Sequence, residues 1–343
     1  MTVDALTASI DPDSETPVHR CERCADVQTN LVCSSCVSCN DCQRVIRQDD
    51  VQETLDGAEV CETCLFTAYS RCWECDGWNR DGDDCANGCD DDDDVYCGGL
   101  IREYGYKPGP DFRGDGPLFL GPEIEVEVFD GDLRRCAQLA IDHLGELGYL
   151  KEDGSLHHGF EIVTHPMSYD WAIAHFPWDM LAELQRSGCR TNDDTGMHVH
   201  VSRAAFTGAG HIYRWMKFVY RNESDVIALA RRTSTLFAAF SADARRSVKD
   251  HAKGGYGDDR HHAINTTNAA TFELRMFASS LEPAEVKAAL AFAAASIEYT
   301  RELTVAAICH DRGWTWQAFV GWLAEHPTYA PLHNHLEQQS CAC

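Results

Sequence analysis

The stretch LFLGPEIEVEVF, residues 118–129, alternates strictly between glutamate and aliphatic side chains after its first five residues. Successive side chains of a β-strand point to opposite faces. Glu123, Glu125 and Glu127 therefore share one face, and the aliphatic residues between them share the other. The pattern predicts a strand with one acidic face and one apolar face that packs on a core.

Three further segments carry polar residues with the same period of two: GFEIVTHP (159–166), TGMHVHVSR (195–203) and TFELRMFA (271–278). If the apolar faces pack on helices, one sheet surface collects Glu123, Glu125, Glu127, Glu161, His198, His200, Glu273 and Arg275. In the last strand, Phe277 shares this face with Glu273 and Arg275. So many carboxylates cannot stay ionised together without cations. Oxygen ligands with an occasional imidazole suit magnesium or manganese. The alternative interpretation is a solvated sheet face that binds nothing.

The strand-like segments alternate with helical patterns at about 132–147, 170–187, 209–232, 282–303 and 313–325. This order predicts an α+β domain, an antiparallel sheet with helices on one face. We expect the chain to divide into a disordered tail (1–18), a cysteine-rich module (19–98), a linker (99–117), the main domain (118–328) and a C-terminal tail (329–343).

Thirteen of the 18 cysteines lie between Cys21 and Cys97. Most form C-x-x-C pairs, in which two thiolates converge on one point and supply half of a tetrahedral zinc site. The candidate ligands are Cys21, Cys24, Cys33, Cys36, Cys39, Cys42, Cys61, Cys64, Cys72, Cys75, Cys85 and Cys89. The absence of a basic and apolar secretory signal disfavours a disulfide framework, and the repetition of the pairs disfavours a redox motif.

The spacing of the Cys39/Cys42 pair from the Cys61/Cys64 pair fits one structural zinc ion in a module that resembles a treble clef or zinc ribbon. The remaining pairs, Cys21/Cys24 with Cys33/Cys36 and Cys72/Cys75 with Cys85/Cys89, would complete a second and a third site. Cross-braced sites would exchange these partners. We therefore expect two to three structural zinc ions.

The formal net charge of −26 disfavours nucleic acid and anionic membranes as partners, because both surfaces repel a strongly negative protein. We expect the cysteine-rich module to contact a protein partner or to present a substrate. The longest apolar run, ALAFAAASI at 289–297, is too short to span a bilayer. With no secretory signal, these features predict a soluble, cytoplasmic protein.

Two loops add candidate catalytic residues. The turn DGS, Asp153 to Ser155, leads into the Glu161 strand, where a carboxylate could orient a nucleophile and accept its proton. Before the last strand, we assign Arg260 to the catalytic set as an anion contact and Asn265 to the nucleotide-binding set. The alternatives are an ordinary turn and a surface arginine. Neither a P-loop nor a G-x-G-x-x-G motif follows a strand, so metal ions would have to hold any phosphates.

The segments GPEIEVEV, EDGSLHHGFEIVTHP, TGMHVHVS and TFELRMF, in this order and spacing, resemble the amidoligase family, a branch of the glutamine synthetase and glutamate–cysteine ligase superfamily. The resemblance covers about residues 118–305. It implies an ATP-dependent carboxylate–amine ligase that works through an acyl-phosphate. It also implies a curved antiparallel sheet on which two or three magnesium or manganese ions bridge the ATP phosphates.

The resemblance further implies residue roles. Metal ligands would be Glu123, Glu125, Glu161, His198 and Glu273. His200 and Ser202 would lie near the nucleotide, Asp153 with Ser155 would bind and deprotonate the amine, and Arg275 would face the substrate carboxylate or transferred phosphoryl group. Pro122 and the cysteine-rich extension depart from the family pattern, which leaves the substrates open among amino acids, peptides and protein-displayed groups.

Two other functions compete with the ligase. One is an adaptor that uses its zinc module and a ligase-like domain without turnover. The other is a phosphotransferase that acts on a guanidino or amine group. The presence of Glu123, Glu125 and Glu273 favours the ligase over the adaptor, because an adaptor has no need to retain metal carboxylates.

Overall fold

The computed structural model describes residues 19–20, 27–28, 36–72, 75, 77–80, 83, 85–87, 99–233, 238–255, 261–310 and 312–341. The chain divides into two compact units between residues 95 and 96, close to the predicted boundary at 98 and 99. Several predicted features lie outside the described residues: the tail at 1–18, Cys21, Cys24, Cys33, Cys89 and Arg260.

The first unit consists of short elements joined in chain order. Its strands are β1 (His19–Arg20), β2 (Val27–Gln28), β3 (Cys36–Ser38), β4 (Val45–Arg47), β5 (Val51–Glu53), β6 (Glu59–Cys61), β7 (Tyr69–Arg71) and β8 (Trp78–Arg80), with helix α1 at Glu62–Ala68. Successive strands pair into four antiparallel two-stranded sheets. The buried cluster is small and comprises Cys39, Val60, Cys61, Leu65 and Tyr69. So small a core gives little hydrophobic stabilisation, and units of this size usually need a metal or covalent links.

The second unit is built on one eight-stranded sheet. Its strands are β9 (Ile101–Arg102), β10 (Leu120–Val128), β11 (Gly148–Lys151), β12 (Gly159–Thr164), β13 (Cys189–Arg190), β14 (Gly196–Ser202), β15 (Ile264–Asn265) and β16 (Thr271–Ala278). The strand order in the sheet is β15-β16-β14-β10-β12-β11-β9. The short strand β13 pairs with the C-terminal end of β10, past the part of β10 that pairs with β14. The pairs are antiparallel except for β9 with β11, so the sheet is mixed.

Ten helices of the second unit fall among the described residues. They are α2 (Leu133–Leu144), α3 (Tyr169–His175), α4 (Trp178–Arg186), α5 (Ala209–Arg221), α6 (Glu223–Ala230), α7 (Ala242–Ala252), α8 (Pro283–Glu302), α9 (Val305–His310), α10 (Trp316–Ala324) and α11 (Ala330–Cys341). The predicted helix at 170–187 is two helices, because the residue before Pro177 cannot easily stay helical. No described helix is both long and apolar enough to cross a bilayer.

The core lies between the apolar sheet face and the helices. The even-numbered positions of β10, Ile124 and Val126, are fully buried in one cluster with residues of α8. Val286 and Leu290 of α8 are fully buried. Seven of the 20 residues of α8 are alanines, and their small side chains let neighbouring elements approach closely.

The structure differs from the predicted domain limits at two places. The segment predicted as a linker contains β9, in which Ile101 is buried beside Leu150 at the edge of the sheet. The segment predicted as a C-terminal tail forms α11, in which Leu332 is buried and Leu336 packs on the core. In each case one or two apolar side chains in a polar segment attach it to the core.

A β-bulge changes one predicted face. Met197 pairs with Phe277 and Val199 with Leu274, so β16 has one more residue than β14 between the two pairs. A residue inserted in this way shifts all later side chains to the opposite face. The alternation predicts Phe277 on the polar face, but the bulge turns its ring into the core against Phe292, with ring centroids 6.2 Å apart.

Candidate functional site

The polar side chains of four strands meet on the sheet face opposite the core. Antiparallel pairing sets Glu123 of β10 opposite His198 of β14, and His200 of β14 opposite Glu273 of β16. On the other side of β10, Glu125 is opposite Glu161 of β12. Directly opposite residues have their Cβ atoms about 5 Å apart, so the register itself brings these side chains together. We call these six residues the polar cluster.

His198 lies at the centre of the polar cluster and is buried. Its Nδ1 is 3.6 Å from Glu123 Oε2 and 3.5 Å from Glu273 Oε1, and its Nε2 is 3.6 Å from Glu125 Oε1. His200 contacts two of the same carboxylates, with Nε2 3.3 Å from Glu123 Oε1 and 3.9 Å from Glu273 Oε2. Two imidazoles therefore link three carboxylates from two strands.

These separations are longer than direct hydrogen bonds and leave room for a shared cation. Nitrogen–oxygen hydrogen bonds are usually about 2.7–3.2 Å long. Around an octahedral ion with ligands at about 2.1 Å, adjacent ligand atoms lie about 3.0 Å apart and opposite ones about 4.2 Å apart. The five distances, 3.3–3.9 Å, fall within that range. Two groups could each hold a metal ion, Glu123/Glu161/His198 and Glu123/His200/Glu273.

A third group, Glu125/Asp153/Glu161, could also hold a metal ion and reaches from the strands to the DGS turn. Asp153 accepts a hydrogen bond of 2.8 Å from the backbone N–H of Ser155 and another from its hydroxyl. Ser155 therefore orients Asp153 toward the sheet. Lys151 of β11 extends over the same group, with Nζ 3.3 Å from Glu161 Oε2.

Burial and crowding perturb the carboxylates of the polar cluster. Burial raises the pKa of Glu161 well above its usual range, and the charge of Glu123 raises it further. Burial also raises the pKa of Glu125. Glu123 is different: burial opposes ionisation, but His200 and His198 hold its pKa well below the usual range. A bound cation would favour the ionised form of these same carboxylates.

Other predicted site residues have defined partners. Asn265 Nδ2 donates to Glu273 Oε2 at 2.7 Å, and Arg275 forms an ion pair with the same carboxylate. Both residues therefore orient Glu273 here. Ser202 Oγ donates to Pro117 O at 2.6 Å and accepts from Phe119 N at 3.0 Å. Those two bonds give Ser202 a structural role in anchoring the strand that precedes Glu123.

Two residues of this face have no signal strong enough to identify them in the sequence. Lys151 follows Tyr149 with period two, but β11 has only four residues. Arg232 lies just after α6 and above Gly196, where an added Cβ would come within 2.1 Å of its guanidinium. A side chain at position 196 would therefore have to displace this guanidinium. Arg232 donates to Asp194 O at 3.1 Å; burial lowers its pKa, and the charge of Glu125 opposes that shift.

Glu127 belongs to the acidic alternation but not to the polar cluster. Its carboxylate accepts hydrogen bonds from Asn192 Nδ2 at 2.9 Å and from His157 N at 3.3 Å. These bonds tie two loops to the end of β10. Glu127 therefore has a structural role, and it belongs to none of the candidate metal groups found among the described residues.

The first unit contains a separate cluster of sulfur atoms. The Sγ atoms of Cys39, Cys42, Cys61 and Cys64 all lie within 4.8 Å of one another. The distance from Cys42 to Cys61 is 3.8 Å. Tetrahedral zinc with bonds of about 2.3 Å sets its sulfur ligands about 3.8 Å apart, whereas a disulfide requires about 2.05 Å. The four thiols could bind one zinc ion, in the grouping that the spacing predicts.

The surroundings of this cluster favour thiolates. Arg44 Nε donates to Cys42 Sγ at 3.3 Å and, with the Arg44 backbone, lowers the pKa of Cys42 to about 6. The backbone N–H of Cys61 donates to Cys39 Sγ at 3.3 Å. Burial raises the pKa of Cys64 to about 12, and hydrogen bonds with the neighbouring sulfurs add to this effect. A bound zinc ion would offset these effects and favour the thiolate form of Cys64.

A second sulfur group comprises Cys72, Cys75 and Cys85, with Cys75 Sγ and Cys85 Sγ 3.6 Å apart. The backbone N–H of Gly77 donates to Cys75 and lowers its pKa to about 6. This group could also bind zinc. Its predicted fourth ligand, Cys89, lies outside the described residues, as do Cys21, Cys24 and Cys33, the predicted partners of the buried Cys36.

A scan against protein-family models matches none of them, and a comparison with curated proteins finds no significant relative.

Proposed function

We propose that this protein is an ATP-dependent carboxylate–amine ligase whose polar cluster binds the divalent ions and the triphosphate. The observation that supports this proposal best is the position of Glu123, which is shared by two candidate metal groups. Glu123, Glu161, His198 and Glu273 come from four neighbouring strands. A solvated sheet face would gain nothing from burying these carboxylates, whereas a metal site requires it.

In the proposed reaction, a carboxylate oxygen of one substrate attacks the γ-phosphorus of ATP, and ADP leaves. An amine then attacks the acyl-phosphate, and inorganic phosphate leaves as the amide forms. Divalent ions would neutralise the charge of the phosphoryl group during transfer. Glu123, Glu125, Glu161, His198 and Glu273 would hold these ions, which is the ligand set expected from the glutamine synthetase-like motifs.

Three further residues have proposed roles. Asp153 would accept the proton of the attacking amine, since Ser155 fixes its carboxylate beside Glu125 and Glu161. His200 would lie beside the nucleotide, and Arg275 would stabilise negative charge on the transferred phosphoryl group. Its ion pair with Glu273 places the Arg275 guanidinium beside the polar cluster.

We propose that the first unit is a zinc module with at least two structural ions. Cys39, Cys42, Cys61 and Cys64 would form a complete site. Cys72, Cys75 and Cys85 would share a second ion with one further ligand. The module would position a protein partner or a protein-displayed substrate, in keeping with the strongly acidic chain.

The proposal is tested by incubating the full chain with ATP, Mg²⁺ or Mn²⁺ and a panel of amino acids and peptides, with products read by mass spectrometry. We expect ADP, phosphate and an amide in equal amounts. Glu273→Gln should reduce the rate of amide formation at least about a hundredfold, as expected when a group that helps to stabilise the transferred phosphoryl charge is lost. Glu127→Gln is the matched control, because Glu127 lies on the same face but is bonded to Asn192.

Other products would point to the competing functions. A stable phosphoramidate without free phosphate would indicate a phosphotransferase. Absence of ATP consumption with every substrate, in a chain that binds its metal ions, would indicate an adaptor.

A further inference from the structure

A cleft of about 590 Å³ lies in the second unit, between residues 114–118, α3, the end of α8 and the turn Pro327–Tyr329. Sites for small molecules usually measure about 300–1,000 Å³. The residues that line this cleft are all described, and none belongs to the polar cluster. The cleft is therefore a separate place on the same unit.

Side chains of both charges line the cleft. Glu298 and Arg301, one turn apart in α8, are half-buried, and Asp170 of α3 is at the surface beside them. Arg301 Nη2 donates to Ala205 O at 3.2 Å. Among the described residues, the other two guanidinium nitrogens of Arg301 have no acceptor. Its Nε is buried without a partner there. Within the same described residues, Glu298 and Arg301 form no ion pair.

The carboxylate of Glu298 lies near the buried hydroxyl of Tyr329. Burial raises the pKa of Tyr329, and the nearby Glu298 carboxylate raises it further. Tyr169 supports the same wall, because its hydroxyl donates to Thr328 O at 3.1 Å and its ring lies 5.2 Å from that of Tyr329. The rings of Tyr169 and Tyr329 and the carboxylate of Glu298 therefore form this wall of the cleft.

We propose that this cleft binds a small zwitterion, a free amino acid or a short peptide, with its carboxylate at Arg301 and its ammonium group at Glu298. A simple anion would be repelled by the carboxylates of Asp115, Asp170 and Glu298, and a simple cation would leave the buried Nε of Arg301 without an acceptor. A ligand that carries both charges satisfies both sides at once. The rings of Trp171 and Tyr329 would pack on its aliphatic part. This site lies beyond the proposed ligase chemistry, because its binding requires neither ATP nor a divalent ion.

The test is calorimetric titration of the full, zinc-loaded chain without ATP or magnesium. The probes are L-alanine, L-glutamate, L-lysine and the dipeptide L-alanyl-L-alanine, with acetate and ethylammonium as probes that carry one charge each. We expect saturable binding of at least one zwitterion and at least tenfold weaker binding of both single-charge probes. Comparing the affinities of the amino acids with that of the dipeptide shows whether the cleft prefers a free amino acid or a short peptide.

Variants locate the binding. Arg301→Gln and Glu298→Gln should each weaken it at least tenfold. The matched control is Arg214→Gln, since Arg214 donates to Thr300 O and Arg301 O at the same end of α8 without lining the cleft. Glu298→Gln keeps an acceptor for Tyr329 and decides the question if Arg301→Gln does not fold.

Three results would overturn the proposal. One is that the wild-type chain binds no zwitterion. Another is that both cleft variants bind as tightly as the wild type. The third is that Glu123→Gln, which alters the polar cluster instead, abolishes the binding.

Discussion

The two units of this protein gather candidate metal-ligating side chains in different ways. The first unit carries them on turns and short strands around a cluster of five buried residues. The second unit carries them on the strands of a large sheet, whose opposite face is buried by helices. The thiol site and its surroundings must therefore form together, whereas the polar cluster is built on a scaffold that has its own source of stability.

The largest expected effect is that of zinc removal. Structural zinc contributes about 10–16 kcal/mol of apparent binding free energy in small domains, far more than the core around Val60 and Leu65 can supply. A zinc chelator should unfold the first unit and leave the second folded. Hydrogen exchange read by mass spectrometry should then show lost protection at 36–72 and retained protection in β10 and β14. Retained protection of α1 after complete zinc loss would show that the first unit does not depend on zinc for its fold.

The second prediction concerns the core of the second unit. Phe160 is fully buried in the cluster beneath the sheet. Phe160→Ala should lower the free energy of unfolding of this unit by about 3–5 kcal/mol, through lost burial and a cavity. Chemical denaturation measures the change, and elemental analysis should find an unchanged zinc content. The control is Phe129→Ala, because Phe129 is 59% exposed at the end of β10 and its loss should cost at most about 0.5 kcal/mol.

The third prediction separates binding from stability. Glu123→Gln removes the carboxylate shared by two candidate metal groups and touches none of the apolar core. Loss of an outer-shell contact weakens metal binding by about 10- to 100-fold. Loss of the Glu123 carboxylate should weaken manganese binding by more than this, while the fold is retained. Electron paramagnetic resonance measures the bound ion. Glu127→Gln should bind manganese normally, and equal losses in both variants would remove Glu123 from the site.

The smallest expected effect is that of an outer contact to the thiol site. Arg44 donates to Cys42 Sγ at 3.3 Å without being a metal ligand itself. Arg44→Gln should weaken zinc binding about tenfold, at the lower end of the effects known for such contacts. Competition with a chromophoric chelator measures this affinity. Arg47→Gln is the control, since Arg47 is exposed three residues away; an equal effect there would point to general electrostatics.

Local sequence patterns predict much of this architecture. The alternation around Glu123 predicts a strand, its polar face and its buried face. The spacing of Cys39/Cys42 from Cys61/Cys64 predicts which sulfurs meet. Both features depend on contacts set by short-range geometry, the pleat of a strand and the turn of a C-x-x-C pair, and such geometry is written in neighbouring residues.

Long-range features are harder to predict. Phe277 fits the alternation of its strand, but the bulge that turns it into the core arises from pairing with a strand about 75 residues earlier. Arg232 reaches the polar face only because α6 ends above Gly196. The hydroxyl of Ser202 is used by the segment at 117–119, which no local pattern connects with it.

The sequence by itself determined which residues are candidate ligands, because ligand type and strand or turn spacing are local properties of the chain. Only the tertiary structure decided which of them lie together. Glu123 belongs to the cluster and Glu127 does not, although they lie two residues apart on one strand face. The physical reason is strand register: His198 lies opposite Glu123, whereas Arg190 of a different strand lies opposite Glu127.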